Sequence, residues 1–136
     1  MEAVVTLTAR LPLPPTVNYG LRRGISARLS ASRAKRRYSL AVLAALREQV
    51  GTWEPFTGPV SLTVSLHMAR RGGGDLSNRL KALEDALTTA RVWLDDAQVD
   101  ALHVTRGEVV RGGAAGIIVA ALGGAAGDET GVGVPL

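Results

Sequence analysis

An α/β domain in the order β-α-β-α-β-β is predicted by three features of this 136-residue sequence. Val60, Leu62, Val64, Leu66 and Met68 alternate with Ser61, Thr63, Ser65 and His67, the period-two signature of a strand with one buried face. Leu76, Leu80, Leu83 and Leu87 recur at helical spacing and form one stripe. Pro12, Pro14 and Pro15 close an earlier β-branched run, since proline has no N–H to give to a ladder. Together these features imply a single domain with two helices packed on a small mixed sheet.

The first strand spans residues 3–11, where Val4, Val5, Thr6 and Thr8 favour extended backbone. A basic stretch through Tyr19, Arg22 and Arg23 follows. The first helix is expected to start at Ser30 or Ser32, either of which can cap it, and to run to about Val50, where Gly51 stops it. Tyr38, Val42, Ala45 and Leu46 share its apolar face. Arg33, Lys35, Arg36 and Arg37 would then crowd its opening turns and oppose the helix dipole, a cost that hints at function. Beyond the strand at 60–68, the basic glycine turn Ala69 to Gly74 leads to Asp75 and a second helix from about Leu76 to Ala90. Two more strands are expected at Val99 to Val110, with a break allowed at Gly107, and at Gly116 to Leu122. The glycine-rich stretch 123–136 has no hydrophobic pattern and reads as a disordered tail, leaving a domain of residues 1–122.

Apolar residues make up 46% of the chain, enough for a hydrophobic core. The absence of cysteine excludes disulfides and Cys-ligated zinc or iron–sulfur centres. No apolar run approaches the roughly 18 to 20 residues of a membrane span, and the N-terminus lacks the pattern of a secretory signal. A soluble, cytoplasmic protein with no membrane partner is expected. The charge is uneven: residues 1–50 hold nine Arg and Lys against two Glu, while residues 51–136 hold seven against ten acids. That split suits a chain that docks a polyanion with one half and holds metal or moves protons with the other. A solvated basic helix without a partner explains the count equally well.

Ser77, Lys81, Glu84 and Asp85 fall away from the leucine stripe, with Asp75 just before the first turn. Further on, Trp93-Leu94-Asp95-Asp96-Ala97-Gln98-Val99 places two acids directly ahead of a strand. Acids at a helix start often serve only the dipole, and paired acids often only make a turn. Brought together by a small sheet, they outline a magnesium site of oxygen ligands. Gly72-Gly73-Gly74-Asp75 is no P-loop, because no G-K-[ST] follows. The two histidines, His67 and His103, lie on strands without triad or zinc spacing. Of the five aromatic residues, Tyr38 and Trp93 are expected to be buried, which disfavours a single-strand stacking surface.

The run from Asp75 to Leu87, followed by Val92 to Val99, resembles the RusA family of Holliday-junction resolvases. That family's wording is close to D-L-D-N, three residues to a lysine, then D-A-L, and later W-x-D-D-x-Q-V. Leu11-Pro12-Leu13-Pro14-Pro15-Thr16-Val17-Asn18 resembles its opening L-P-x-P-P-S-x-N. The three motifs are colinear over roughly residues 5 to 110, which makes the signal far more specific than any one of them.

The resemblance implies a RusA-like fold and a homodimeric endonuclease that uses Mg2+, with Mn2+ as a possible substitute, to nick four-way DNA junctions in pairs. It assigns catalysis and metal binding to Asp75 and Asp96 and a charge-stabilising role to Lys81. Asn78, Glu84, Asp85 and Asp95 become accessory residues. The family's other acid falls at Ser77, a neutral and weaker ligand. Three accounts of Ser77 stay open. It is a tolerated variant, or Glu84 compensates from about 10 Å along the helix, or the chain binds branched DNA with little or no cleavage. The expected DNA-facing residues are Arg22, Arg23, Arg28, Arg33, Lys35, Arg36 and Arg37, with Arg70 and Arg71 beside the site; such contacts are salt-sensitive. Two symmetric cuts suit a C2 dimer, formed through an apolar strip on either helix or an edge strand such as Val60 to Met68.

Overall fold

The computed structural model describes residues 5–16 and 25–123, with side chains of the first helix from residue 32 onward. Its elements are β1 (Thr6–Leu11), α1 (Ile25–Gln49), β2 (Val60–His67), α2 (Leu76–Thr89), a single 3₁₀ turn (Asp96–Gln98), β3 (Val99–Arg106) and β4 (Ala114–Ala121). This is the expected α/β order, with two helices packed on a four-stranded mixed sheet. Arg22, Arg23 and most of the expected C-terminal tail lie outside the described residues, as does the side chain of Arg28.

The sheet runs β1-β4-β2-β3. β4 pairs antiparallel with both β1 and β2, whereas β2 and β3 are parallel. Parallel neighbours need a crossover, and α2 supplies it. β2 is therefore paired on both sides, so Val60 to Met68 cannot serve as the exposed edge suggested for a dimer; the edges are β1 and β3. Strand order reflects pairing between segments distant in the chain, which the alternation within β2 does not encode.

The alternation itself reads true: Val60, Leu62, Val64 and Leu66 are fully buried, and the intervening side chains are partly exposed. They meet Tyr38, Val42 and Leu46 of α1 and Leu83, Ala86 and Leu87 of α2 in one core. Trp93 is fully buried, and its indole N–H donates to Thr88 Oγ1 at 2.7 Å. The Tyr38 hydroxyl donates to the Pro12 carbonyl at 2.8 Å, tying α1 to the proline segment, and burial pushes its phenol above the ordinary range.

α1 begins at Ile25, five residues before the nearer expected cap, so Ser30 and Ser32 lie inside the helix. Serine in a helix interior costs only a few tenths of a kcal/mol, too little to stop a helix anchored by tertiary packing. Arg33 to Arg37 consequently sit more than two turns in, beyond the reach of the dipole, and their placement carries no dipole penalty. At the other end Gly51 adopts φ +90, and its N–H reaches the Leu46 carbonyl at 3.3 Å, closing the helix as glycine caps do. Gly107 ends β3 against the His67 ring, which a Cβ there would strike. His67 Nδ1 faces the Glu108 carbonyl at 2.9 Å, so this histidine is a structural latch. Among the described residues no helix is long and apolar enough to cross a membrane.

Leu62 is fully buried on an internal strand, so Leu62→Ala should cost about 2–5 kcal/mol. Urea unfolding followed by circular dichroism should show a lower midpoint with an unchanged slope.

Candidate active site

The site is built on the polar face of α2 and the turn that precedes β3. Gly72 and Gly74 take φ +68 and +101, a left-handed geometry that L side chains rarely adopt. The turn delivers Asp75 to the N-cap of α2, where its Oδ1 accepts from the Asn78 backbone N–H at 3.1 Å. Such a cap satisfies one of the helix's orphan donors. Ser77 is exposed in the first turn.

Two arginines that sequence reasoning missed hold this turn in place. Arg79 donates to the Pro14 carbonyl at 2.6 Å and to that of Gly73 at 2.8 Å, while Arg106 donates to the Gly74 carbonyl at 2.8 Å. Burial, then the neighbouring Arg106 charge, lowers the Arg79 pKa. A signal was available for Arg79: it lies three residues after Leu76 and four before Leu83, on the leucine stripe, where a guanidinium must find acceptors. Nothing in the sequence pairs Arg106 with Gly74.

Downstream on α2, Lys81 Nζ lies 3.3 Å from Asp85 Oδ1 and 3.9 Å from Asp96 Oδ2. The other Asp85 oxygen takes Lys35 of α1 at 3.3 Å. Lys81 is raised above the usual lysine value, chiefly by its hydrogen bond to Asp85 and then by the acids around it, so it remains a cation. Glu84 is also raised, first by burial and next by the Asp96 charge. Asp95 is spent on its own turn, where Oδ1 accepts from the Ala97 N–H at 2.9 Å and caps the 3₁₀ turn.

The structure thus gathers Asp96, Lys81, Asp85, Glu84 and Lys35. Asp75 stands at the head of the same helix, about 9 Å along its axis from Lys81, and enters none of the ion pairs among the described residues. Beside the cluster a cleft of about 680 Å³ has Lys35 and Arg36 on one wall and Asp95 and Asp96 on the other. Arg33 and Arg37 are exposed on α1 but do not line it; Arg70 and Arg71 are exposed on the turn before Asp75.

The donors are hard carboxylate oxygens, and three acids, Glu84, Asp85 and Asp96, gather with two lysines, Lys35 and Lys81. That chemistry fits a divalent cation such as magnesium. Among the described residues no three acidic or histidine side chains converge as a ready-made cage. Asp75 and Asp96 would instead be the two protein ligands, since magnesium is commonly held by one or two carboxylates with water and substrate phosphate.

A family model for endodeoxyribonuclease RusA matches residues 12–120, a span that contains both acid motifs, Lys81 and the cleft. The chain belongs to the RusA family. It is 32% identical over 120 residues to the crossover junction endodeoxyribonuclease RusA of Escherichia coli strain K12, covering 87% of this chain and 97% of that protein. The same figures hold for the RusA of E. coli O1:K1. A third relative, the crossover junction endodeoxyribonuclease rusA of Enterobacteria phage 82, is 42% identical over 65 residues, covering 48% of this chain and 54% of that protein.

Glu84→Gln gives a pH-dependent test of the electrostatics. An acid raised in the folded state makes folding less favourable once pH exceeds its unfolded value, and contributes nothing where both states are protonated. Glu84→Gln should therefore melt at or above the wild-type temperature at pH 7, and the difference should vanish as pH falls below the ordinary glutamate range.

Proposed function

We propose that this chain is a structure-specific endodeoxyribonuclease that resolves four-way DNA junctions by paired, Mg2+-dependent phosphodiester hydrolysis as a homodimer in the cytoplasm. The observation that supports it most is Lys81 set between Asp85 and Asp96, on the helix that Asp75 begins, in a chain of the RusA family. Asp75 and Asp96 would hold the metal, which when bound supplies Lewis acidity toward the phosphate and an activated water.

The chain's own residues do the rest. Asp85 keeps Lys81 protonated and aimed at Asp96, which suits it to stabilise charge on the phosphoryl oxygens and unsuits it as a base. Arg79 and Arg106 hold the glycine turn and so fix where Asp75 emerges. Lys35 and Arg36 line the cleft beside Asp96 as phosphate contacts, with Arg33, Arg37, Arg70 and Arg71 extending the basic surface; these supply sequence-independent affinity. Arg22 and Arg23 belong to the same proposed DNA-binding set. A C2 pair of such sites matches the two symmetric cuts a junction requires.

Ser77 favours one competing reading, a branched-DNA-binding protein with little cleavage, because an exposed hydroxyl replaces an acid in the first turn of α2. Nicking of a labelled synthetic junction, set beside fork and flap substrates, separates the two. The wild type should nick the junction in pairs with Mg2+ and not with EDTA. Asp75→Asn and Asp96→Asn should each lose at least about 100-fold in rate while still binding the junction. A wild type that binds without nicking, and that Ser77→Asp converts into a nuclease, would establish the binding-only reading.

A further inference from the structure

Asp96 opens a single 3₁₀ turn beside α2, with its side chain 40% exposed. Something must nevertheless hold its backbone, because a metal-binding carboxylate has to be placed to within about 0.5 Å. Gln98 does so with every polar atom it has. Its Oε1 accepts from the backbone N–H groups of Leu94 at 2.8 Å and Asp95 at 3.0 Å. Its Nε2 donates to the carbonyls of Phe56 at 2.8 Å and Gly58 at 2.9 Å. A primary amide offers two donors and two acceptor lone pairs, and here all four are used.

The anchor on the far side is rigid. The Phe56 N–H donates to the Val92 carbonyl at 2.8 Å, and Phe56 bridges the fully buried Trp93. Gly58 leads through Pro59 into Val60, which is fully buried in the internal strand β2. The clamp therefore ties the turn carrying Asp96 to the sheet, on both sides of the aspartate.

We propose that Gln98 is the positioning residue of the site: by clamping residues 94–95 to residues 56–58 it sets the Asp96 carboxylate opposite Lys81 and in place to receive the divalent cation. This rests on the nuclease reading for its functional meaning. The molecule also contains a matched control. Gln49 makes the same kind of amide-to-backbone pair, accepting from the Arg10 N–H at 2.7 Å and donating to the Arg10 carbonyl at 2.6 Å, on β1. Removing it costs hydrogen bonds of the same type without touching the acids.

The test compares wild type, Gln98→Ala, Gln49→Ala, Asp96→Asn and the double variant Asp96→Asn with Gln98→Ala. Mn2+ binding is followed by water-proton relaxation, and the Mg2+ midpoint by junction nicking. Gln98→Ala should weaken Mn2+ binding and raise the Mg2+ midpoint by about tenfold or more, with metal-free junction binding unchanged and Gln49→Ala like wild type. In the Asp96→Asn background, Gln98→Ala should have no further effect on Mn2+ affinity, because both act through one ligand. Gln98→Met, which keeps the volume without the hydrogen bonds, should repeat the shift if the alanine variant folds poorly. Wild-type metal affinity in the Gln98 variants, full additivity with Asp96→Asn, or an equal shift in Gln49→Ala would each overturn the proposal. A wild type that binds Mn2+ but nicks no junction would defeat the nuclease reading instead, while the Mn2+ comparison still decides the role of Gln98.

Discussion

Burial of one face of α2 decides where the charges of this protein can go. Leu83, Ala86 and Leu87 are fully enclosed between α1 and the sheet, so the rotation of the helix about its own axis is fixed. Lys81 and Asp85, two residues either side of Leu83, must then emerge on the opposite face, where the turn before β3 brings Asp96 alongside. The magnitudes say which effect is cause and which is consequence. Burying a leucine contributes about 1.5–3 kcal/mol, whereas an exposed ion pair contributes about 0–1 kcal/mol. The ion pairs of the site report its geometry; the leucines impose it.

The resulting cluster is under-neutralised. Lys81 and Lys35 share the two oxygens of Asp85, leaving Lys81 only a longer contact to Asp96, while burial first, and the Asp96 charge next, make Glu84 hold its proton more tightly. Acids drawn together without enough counter-charge oppose stability, and a fold tolerates that where function demands it. Ser77, exposed in the first turn of α2, adds no charge to this group.

Much of this was readable in advance, and the parts that were not share a cause. β2, the α2 stripe and the start of α2 just after Asp75 are local patterns of period and polarity, and the structure reproduces them. The acid motifs were legible as a family resemblance, which the match over residues 12–120 bears out. The start of α1 was not, because Ser30 and Ser32 look like caps but sit in a helix whose extent is set by packing. Strand order was not, because β4 inserts between β1 and β2 through pairings across the whole chain. The Lys35–Asp85 contact, the Arg79 and Arg106 grip on the glycine turn and the Gln98 clamp were hidden for the same reason: each joins segments that only tertiary structure brings together. Gln98 lies inside the Trp93 to Val99 motif, yet nothing about a glutamine in sequence says that its amide spans to Phe56 and Gly58.

The central claim is that Asp75, at the head of α2, and Asp96, on the turn before β3, serve one divalent cation. Anomalous diffraction from crystals grown with Mn2+ tests it most directly. The account predicts a single peak per protomer contacted by both carboxylates, with Lys81 beside it. A peak on Glu84 and Asp85 with Asp75 uninvolved, or no peak and two carboxylates too far apart to share an ion, would contradict it.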